Sequence, residues 1–186
     1  MPDVELFDVA LRRRMTRRFD PRPIPRDVLA RIVAIAASAP SAGKTDGVEL
    51  LVLESPGRRA LFWELASDRV WRENGPESAG LLAAPVVIVP VADPEAYVAR
   101  YARCDKESSG LHCLPADDWP VPYWTVDASF AAMLVLLAAD DAGLGALFFR
   151  LHAPAQSLLT GLGLPENRVV IGAIAVGHPA SRPPAN

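Results

Sequence analysis

Cysteine is scarce in this chain of 186 residues, with Cys104 and Cys113 the only two. Two thiols nine positions apart in a polar stretch could be bridged on spacing but are expected to stay reduced, which speaks against a disulfide-stapled secreted scaffold. Histidine is sparse as well. His112 adjoins Cys113, but His152 and His178 lie far along the chain, so no zinc-ligand spacing emerges and no metal is expected. Basic excess is also lacking: 19 Lys and Arg against 22 Asp and Glu leave a formal net charge of -3. General nucleic-acid binding rests on surplus positive charge, and no stripe of basic and aromatic residues is present, so no nucleic-acid partner is expected.

The longest apolar run, Ala128 to Ala139, is too short and too closely flanked by acids to suggest a bilayer span, so no membrane partner is expected. Met1-Pro2-Asp3-Val4-Glu5 carries acid where a secretory leader carries base, and a cytoplasmic protein is the resulting expectation. No linker or internal repeat divides the chain. Residues 1–186 read as a single domain long enough to bury a sizeable core.

What is present is concentrated in a few segments. Arg12, Arg13, Arg14, Arg17 and Arg18 place five arginines in seven residues. Such crowding is self-repulsive, and guanidinium forks grip phosphate or carboxylate with paired hydrogen bonds, so an anion is expected beside them. Phe7 and Leu11 precede them at helical spacing, and some of the cations suit the C-terminus of that helix. For Arg12, Arg14 and Arg18, ion pairs with Asp8, Asp20 or Asp27 are the plain alternative to a ligand. Pro21, Pro23 and Pro25 enforce an extended connection into a second helix, which ends at Ala39-Pro40.

The stretch Pro40-Ser41-Ala42-Gly43-Lys44-Thr45-Asp46-Gly47 has small side chains and two glycines, so its backbone can approach a ligand closely. Gly43-Lys44-Thr45 looks like the end of a P-loop, but the upstream glycine is missing and the segment follows a helix. Strands are expected at 48–54, 86–92, 145–150 and 168–176, with helices between them and Gly177-His178-Pro179 as a closing turn. Residues 104–121 show no periodicity, as a lid or a binding loop would. Residues 126–142 make the most apolar helix, expected at the core, with Asp127, Asp140 and Asp141 as helix-end and surface charges. This alternation implies a layered α/β or α+β domain.

Several segments, in order, resemble the nitroreductase family of flavin-dependent oxidoreductases. Arg13-Arg14-Met15-Thr16-Arg17-Arg18-Phe19 follows the first helix and Ala39-Pro40-Ser41-Ala42-Gly43 the second. Gly143-Leu144-Gly145 ends the apolar helix, before Leu162-Gly163-Leu164-Pro165-Glu166 and Val176-Gly177-His178-Pro179. The resemblance covers nearly the whole chain. It implies an α+β fold of three layers, a central, mostly antiparallel sheet flanked by helices. It also implies an intertwined homodimer with one FMN at each of two interface sites.

By the same resemblance Arg13 and Arg17 bind the flavin phosphate and ribityl chain, and Arg14 and Met15 line that wall. Pro40, Ser41, Ala42 and Gly43 come from the partner chain and face the ring, while Phe149, Arg150 and Leu151 lie along it. Arg182 adds a phosphate contact. The implied activity is a two-half-reaction cycle in which NADH or NADPH reduces FMN and a small-molecule electron acceptor, such as a nitroaromatic or quinone, then takes the electrons. A flavin carries this chemistry itself, which agrees with the lack of any Ser-His-Asp set in the chain. The alternative in the same fold is a protein that sequesters a flavin or deazaflavin without turnover; outside it, the alternative is an RNA or phosphoprotein binder using the arginines. The chain departs from many relatives at Met15, where serine is frequent, and at Lys44, Asp46 and Val48, where Asn, Gln and Trp are common.

Overall fold

A computed structural model describes residues 6–75 and 77–180. Arg182 therefore lies outside the described residues. The sheet is built on β3, Val86–Ala92, whose seven residues are all buried. Such a run has no solvent face and belongs in the sheet interior. β3 pairs antiparallel with β2, Val48–Leu53, and with β6, Ala173–Pro179. β6 in turn pairs antiparallel with β4, Gly145–Phe149, in the register Gly145↔Gly177 to Phe149↔Ala173. The short strands β1, Phe19–Asp20, and β5, Val169–Val170, add to β6 and β3, also antiparallel.

Alternation along β3 divides the interior into two layers. Val86 and Ile88 join Ile174 and Val176 under α2, Arg26–Ala37, and α7, Tyr123–Asp141. Val87, Val89 and Val91 face the other way, against Phe62 and Trp63 of α3, Pro56–Ala66, and Leu158 of α8, Ala155–Gly161. Ile88 and Ile174 have no exposed surface, and each burial is worth about 2 kcal/mol. The outcome is the expected helix–sheet–helix α+β domain. The remaining helices are α1, Leu6–Arg12, α4, Arg69–Asn74, α5, Ser78–Leu82, and α6, Pro94–Tyr101.

Four details differ from the sequence reading. The last strand is broken, because Gly172 takes a φ of 148° where a side chain would run into the Phe149 carbonyl. Gly177, His178 and Pro179 are strand residues and not a closing turn; His178 and Pro179 pair with Asp20 and Phe19. α7 begins at Tyr123, since the Pro122 carbonyl already accepts from the Thr125 and Val126 amides. At 19 residues it is long and apolar enough to cross a membrane, but half of that window is buried in this fold, between α2 and the sheet.

The fourth is the aperiodic stretch, which is neither extended nor detached. It forms two 3-10 turns, Cys104–Ser109 and Ala116–Asp118. Aromatic packing pins it: Trp119 lies 5.0 Å from the Tyr101 ring and 5.6 Å from Trp124, with only 7% of its surface exposed.

Candidate functional site

The arginine wall is positioned by β4. After α1 the chain runs beside that strand: Met15 bridges Ala146, and the Thr16 amide donates to the Ala146 carbonyl at 2.9 Å. Gly145 permits this approach, because a β-carbon there would collide with the Thr16 side chain. The arginines then separate by role. Arg12 pairs with Asp140 at 2.8 Å, and not with Asp8, Asp20 or Asp27. Arg14 folds back on the Leu11 and Arg13 carbonyls, 3.2 Å from each, where it caps the end of α1. Arg17 meets Glu77 at 3.4 Å, both half exposed.

Arg13 is different. Its Nη1 is buried, and its side chain has no hydrogen-bond partner among the described residues. Two other buried nitrogens share that state, Nε of Arg59 and Nε1 of Trp63, but the Arg59 guanidinium still donates to the Ala84 carbonyl at 2.7 Å. A buried donor left unpaired is costly, and native proteins seldom keep one without a ligand or solvent partner.

Met15 packs against both hydrophobic layers, at the junction between the arginine wall and the sheet. Phe149 turns inward, its ring stacked on Trp63 at 5.3 Å, and Leu151 packs into the same layer. Arg150, between them, is exposed.

Pro40 to Gly43 form a second group. They follow α2 and enter a 3-10 turn, Ala42–Lys44, in which both Gly43 and Lys44 have positive φ, 65° and 56°. Two side chains hold this turn. The carboxylate of Asp127 accepts the Ala42 amide at 2.8 Å and the Tyr97 hydroxyl at 2.7 Å. Arg100 Nε donates to the Gly43 carbonyl at 2.8 Å, and its other nitrogens grip both Asp105 oxygens at 2.7 and 2.9 Å. Burial, then the bond to Asp127, push the Tyr97 phenol far above its ordinary range. Arg100 holds the Asp105 carboxyl below the usual carboxylate range.

Asp127 was expected at the surface and is instead 4% exposed. Its signal in the sequence is an acid set inside the most apolar helix, and its partners Tyr97 and Ala42 are 30 and 85 positions away. Beside the turn opens a cleft of about 630 Å³, lined by Val33, Pro40, Ser41, Val48, Asp127 and Ala131, among others.

The two groups do not meet within one chain. Arg12 is tied to Asp140 and Ala42 to Asp127, near opposite ends of α7. Thirteen residues of helix separate those anchors by about 20 Å. Among the described residues no cluster of His, Cys, Asp and Glu could hold a metal, and both cysteines are free.

The sequence profile of the nitroreductase family matches residues 10–178. The chain belongs to the nitroreductase family. A protein named as an NADH dehydrogenase from Thermus thermophilus is 25% identical over 193 residues, covering 97% of this chain and 89% of its own. A protein named as a CLA biosynthesis enone reductase from Lactiplantibacillus plantarum is 28% identical over 199 residues, covering 96% of this chain and 88% of its own. The solved structure of an FMN-dependent nitroreductase from Clostridium difficile superposes with a TM-score of 0.66 at 21% identity, covering 96% and 90%. This nitroreductase-family chain is thus an oxidoreductase with the family's mixed helix and antiparallel-sheet fold.

Proposed function

We propose that this oxidoreductase binds FMN and passes electrons from NADH or NADPH to a small acceptor, a nitroaromatic, a quinone or a related compound, at sites completed by two copies of the chain in the cytoplasm. The observation that carries the reading is Arg13. The buried, unpartnered Nη1 of its half-buried side chain fits the phosphate of a flavin mononucleotide, which offers the acceptor oxygens that nitrogen lacks. Arg17 is available as a second contact, because its exposed pair with Glu77 is worth only about 0–1 kcal/mol and is readily exchanged. Met15 fills the wall between them with an apolar surface. The name of the Clostridium difficile relative supports FMN in particular.

A dimer is supported by two features. The arginine wall and the Pro40–Gly43 turn lie far apart in one chain, and a two-fold partner can bring one group to the other. Leu6, Phe7 and Leu11 of α1 are 69%, 76% and 77% exposed, and α1 packs on α7, which exposes Phe130 and Met133. An apolar surface of this kind marks an interaction face. Bound FMN supplies the electron and hydride transfer. The chain's task is to hold the phosphate, keep the ring in a largely apolar cleft and leave room for one small molecule against it.

Steady-state oxidation of NADH or NADPH by the FMN-loaded protein, with menadione or a nitroaromatic present, tests this reading. Turnover that depends on the acceptor is expected. Tight FMN binding without turnover would overturn it in favour of a flavin-sequestering role.

A further inference from the structure

On the reading that Pro40–Gly43 of one copy faces the flavin of the other, we propose that Asp127 is a positioning residue acting in trans. It sets the flavin-facing turn that its own chain lends to the partner's site, with Tyr97 and Arg100 as its auxiliaries. The geometry points this way. Asp127 is almost fully buried, and one of its oxygens receives both the Ala42 amide and the Tyr97 hydroxyl. Arg100 holds the Gly43 carbonyl, one residue further along the turn. The peptide before Ala42 and the peptide after Gly43 are thus fixed, one at its N–H and the other at its C=O, by groups from two helices, α7 and α6.

That bracing has a reason. The turn contains two consecutive positive-φ residues, one of them a lysine, a conformation that does not persist without support from its surroundings. The support is itself rigid. Tyr97 has no exposed surface and meets the Trp124 ring at 6.2 Å. Arg100 is steadied by both oxygens of Asp105. The 104–121 segment therefore backs the turn as a fixed wall. Asp127 also borders the cleft beside Ser41, so a loosened turn would move the cleft's own lining.

Complementation between protomers tests the proposal. Asp127→Leu removes the acceptor and leaves the Ala42 amide and Tyr97 hydroxyl buried without a partner, and FMN affinity is expected to fall about tenfold or more. Asp127→Asn keeps an acceptor oxygen and is expected to restore most of the affinity. Arg13→Ala weakens the site from the other wall. A heterodimer of one R13A chain and one D127L chain, purified through two different tags, concentrates both lesions in one site and leaves the second intact. It is expected to bind one FMN per two chains with wild-type affinity.

Wild-type affinity in the D127L homodimer overturns the proposal, and so does a heterodimer with no wild-type site, which would make the effect local to one chain or a general loss of fold. Should D127L not fold, Arg100→Ala replaces it in the same pairing with the same readout. A wild-type protein that binds no FMN overturns the underlying flavin reading instead, and the proposal with it.

Discussion

Lys44 occupies a left-handed conformation, φ 56°, that penalises a side chain with a β-carbon by about 1–2 kcal/mol. Asparagine tolerates that region better, so Lys44→Asn is expected to stabilise the fold by about 0.5 kcal/mol and raise the melting midpoint by about 1–2 °C. A lower midpoint in calorimetry would contradict the strained backbone at this position. Tyr97 gives a second prediction. Its folded pKa is raised, so its contribution is complete below the unfolded value near 10 and is lost as pH rises through and above it. One of the three tyrosines should therefore stay un-ionised until the protein unfolds in alkali, and Tyr97→Phe should flatten the decline in stability above about pH 10. Tyrosinate absorbance followed together with circular dichroism reads both. Of the candidate site residues, Arg13 could be singled out from the sequence because crowded arginines imply an anion whatever the fold. Asp127 could not, since an acid in an apolar helix reads as a surface charge until its distant partners are known.

At the scale of elements, the docking of the arginine wall on β4 rests on one missing side chain. Gly145→Val would drive the Thr16 segment off the strand, costing about 1–3 kcal/mol and weakening any ligand held by Arg13. Chemical denaturation measures the first effect, and an unchanged midpoint would mean that the approach is not as close as described. The strands were readable because β3 is an apolar, mostly β-branched run and β6 opens on the apolar Ala173 to Val176, and α7 because it is apolar on most sides. The segment from 104 to 121 was unreadable for the opposite reason. Its order comes from Trp119 meeting Tyr101 and Trp124, contacts without a local period. The break at Gly172 was hidden too, since Ile171 continues the apolar pattern across it.

For the whole molecule, one chain carries the arginine wall and the Pro40–Gly43 turn near opposite ends of α7, and exposed apolar residues on α1. Replacing Phe7 and Leu11 together by glutamate is expected to shift a dimer toward monomer in light scattering and to abolish FMN binding with it. A monomer that keeps FMN would refute the shared site. The family and layer order were legible in the sequence because short motifs recur in a fixed order along nearly all of it. The separation of the arginine wall from the Pro40–Gly43 turn was not, because it depends on the length of a helix whose two ends hold different partners. What satisfies Arg13 decides whether a flavin binds here. Titration of the cofactor-free protein with FMN, followed by flavin fluorescence for the wild type and for Arg13→Ala, tests this most directly. The account predicts saturation at one FMN per chain and at least about a tenfold loss of affinity in the variant; a wild type that binds no FMN, or a variant that binds it equally well, would contradict it.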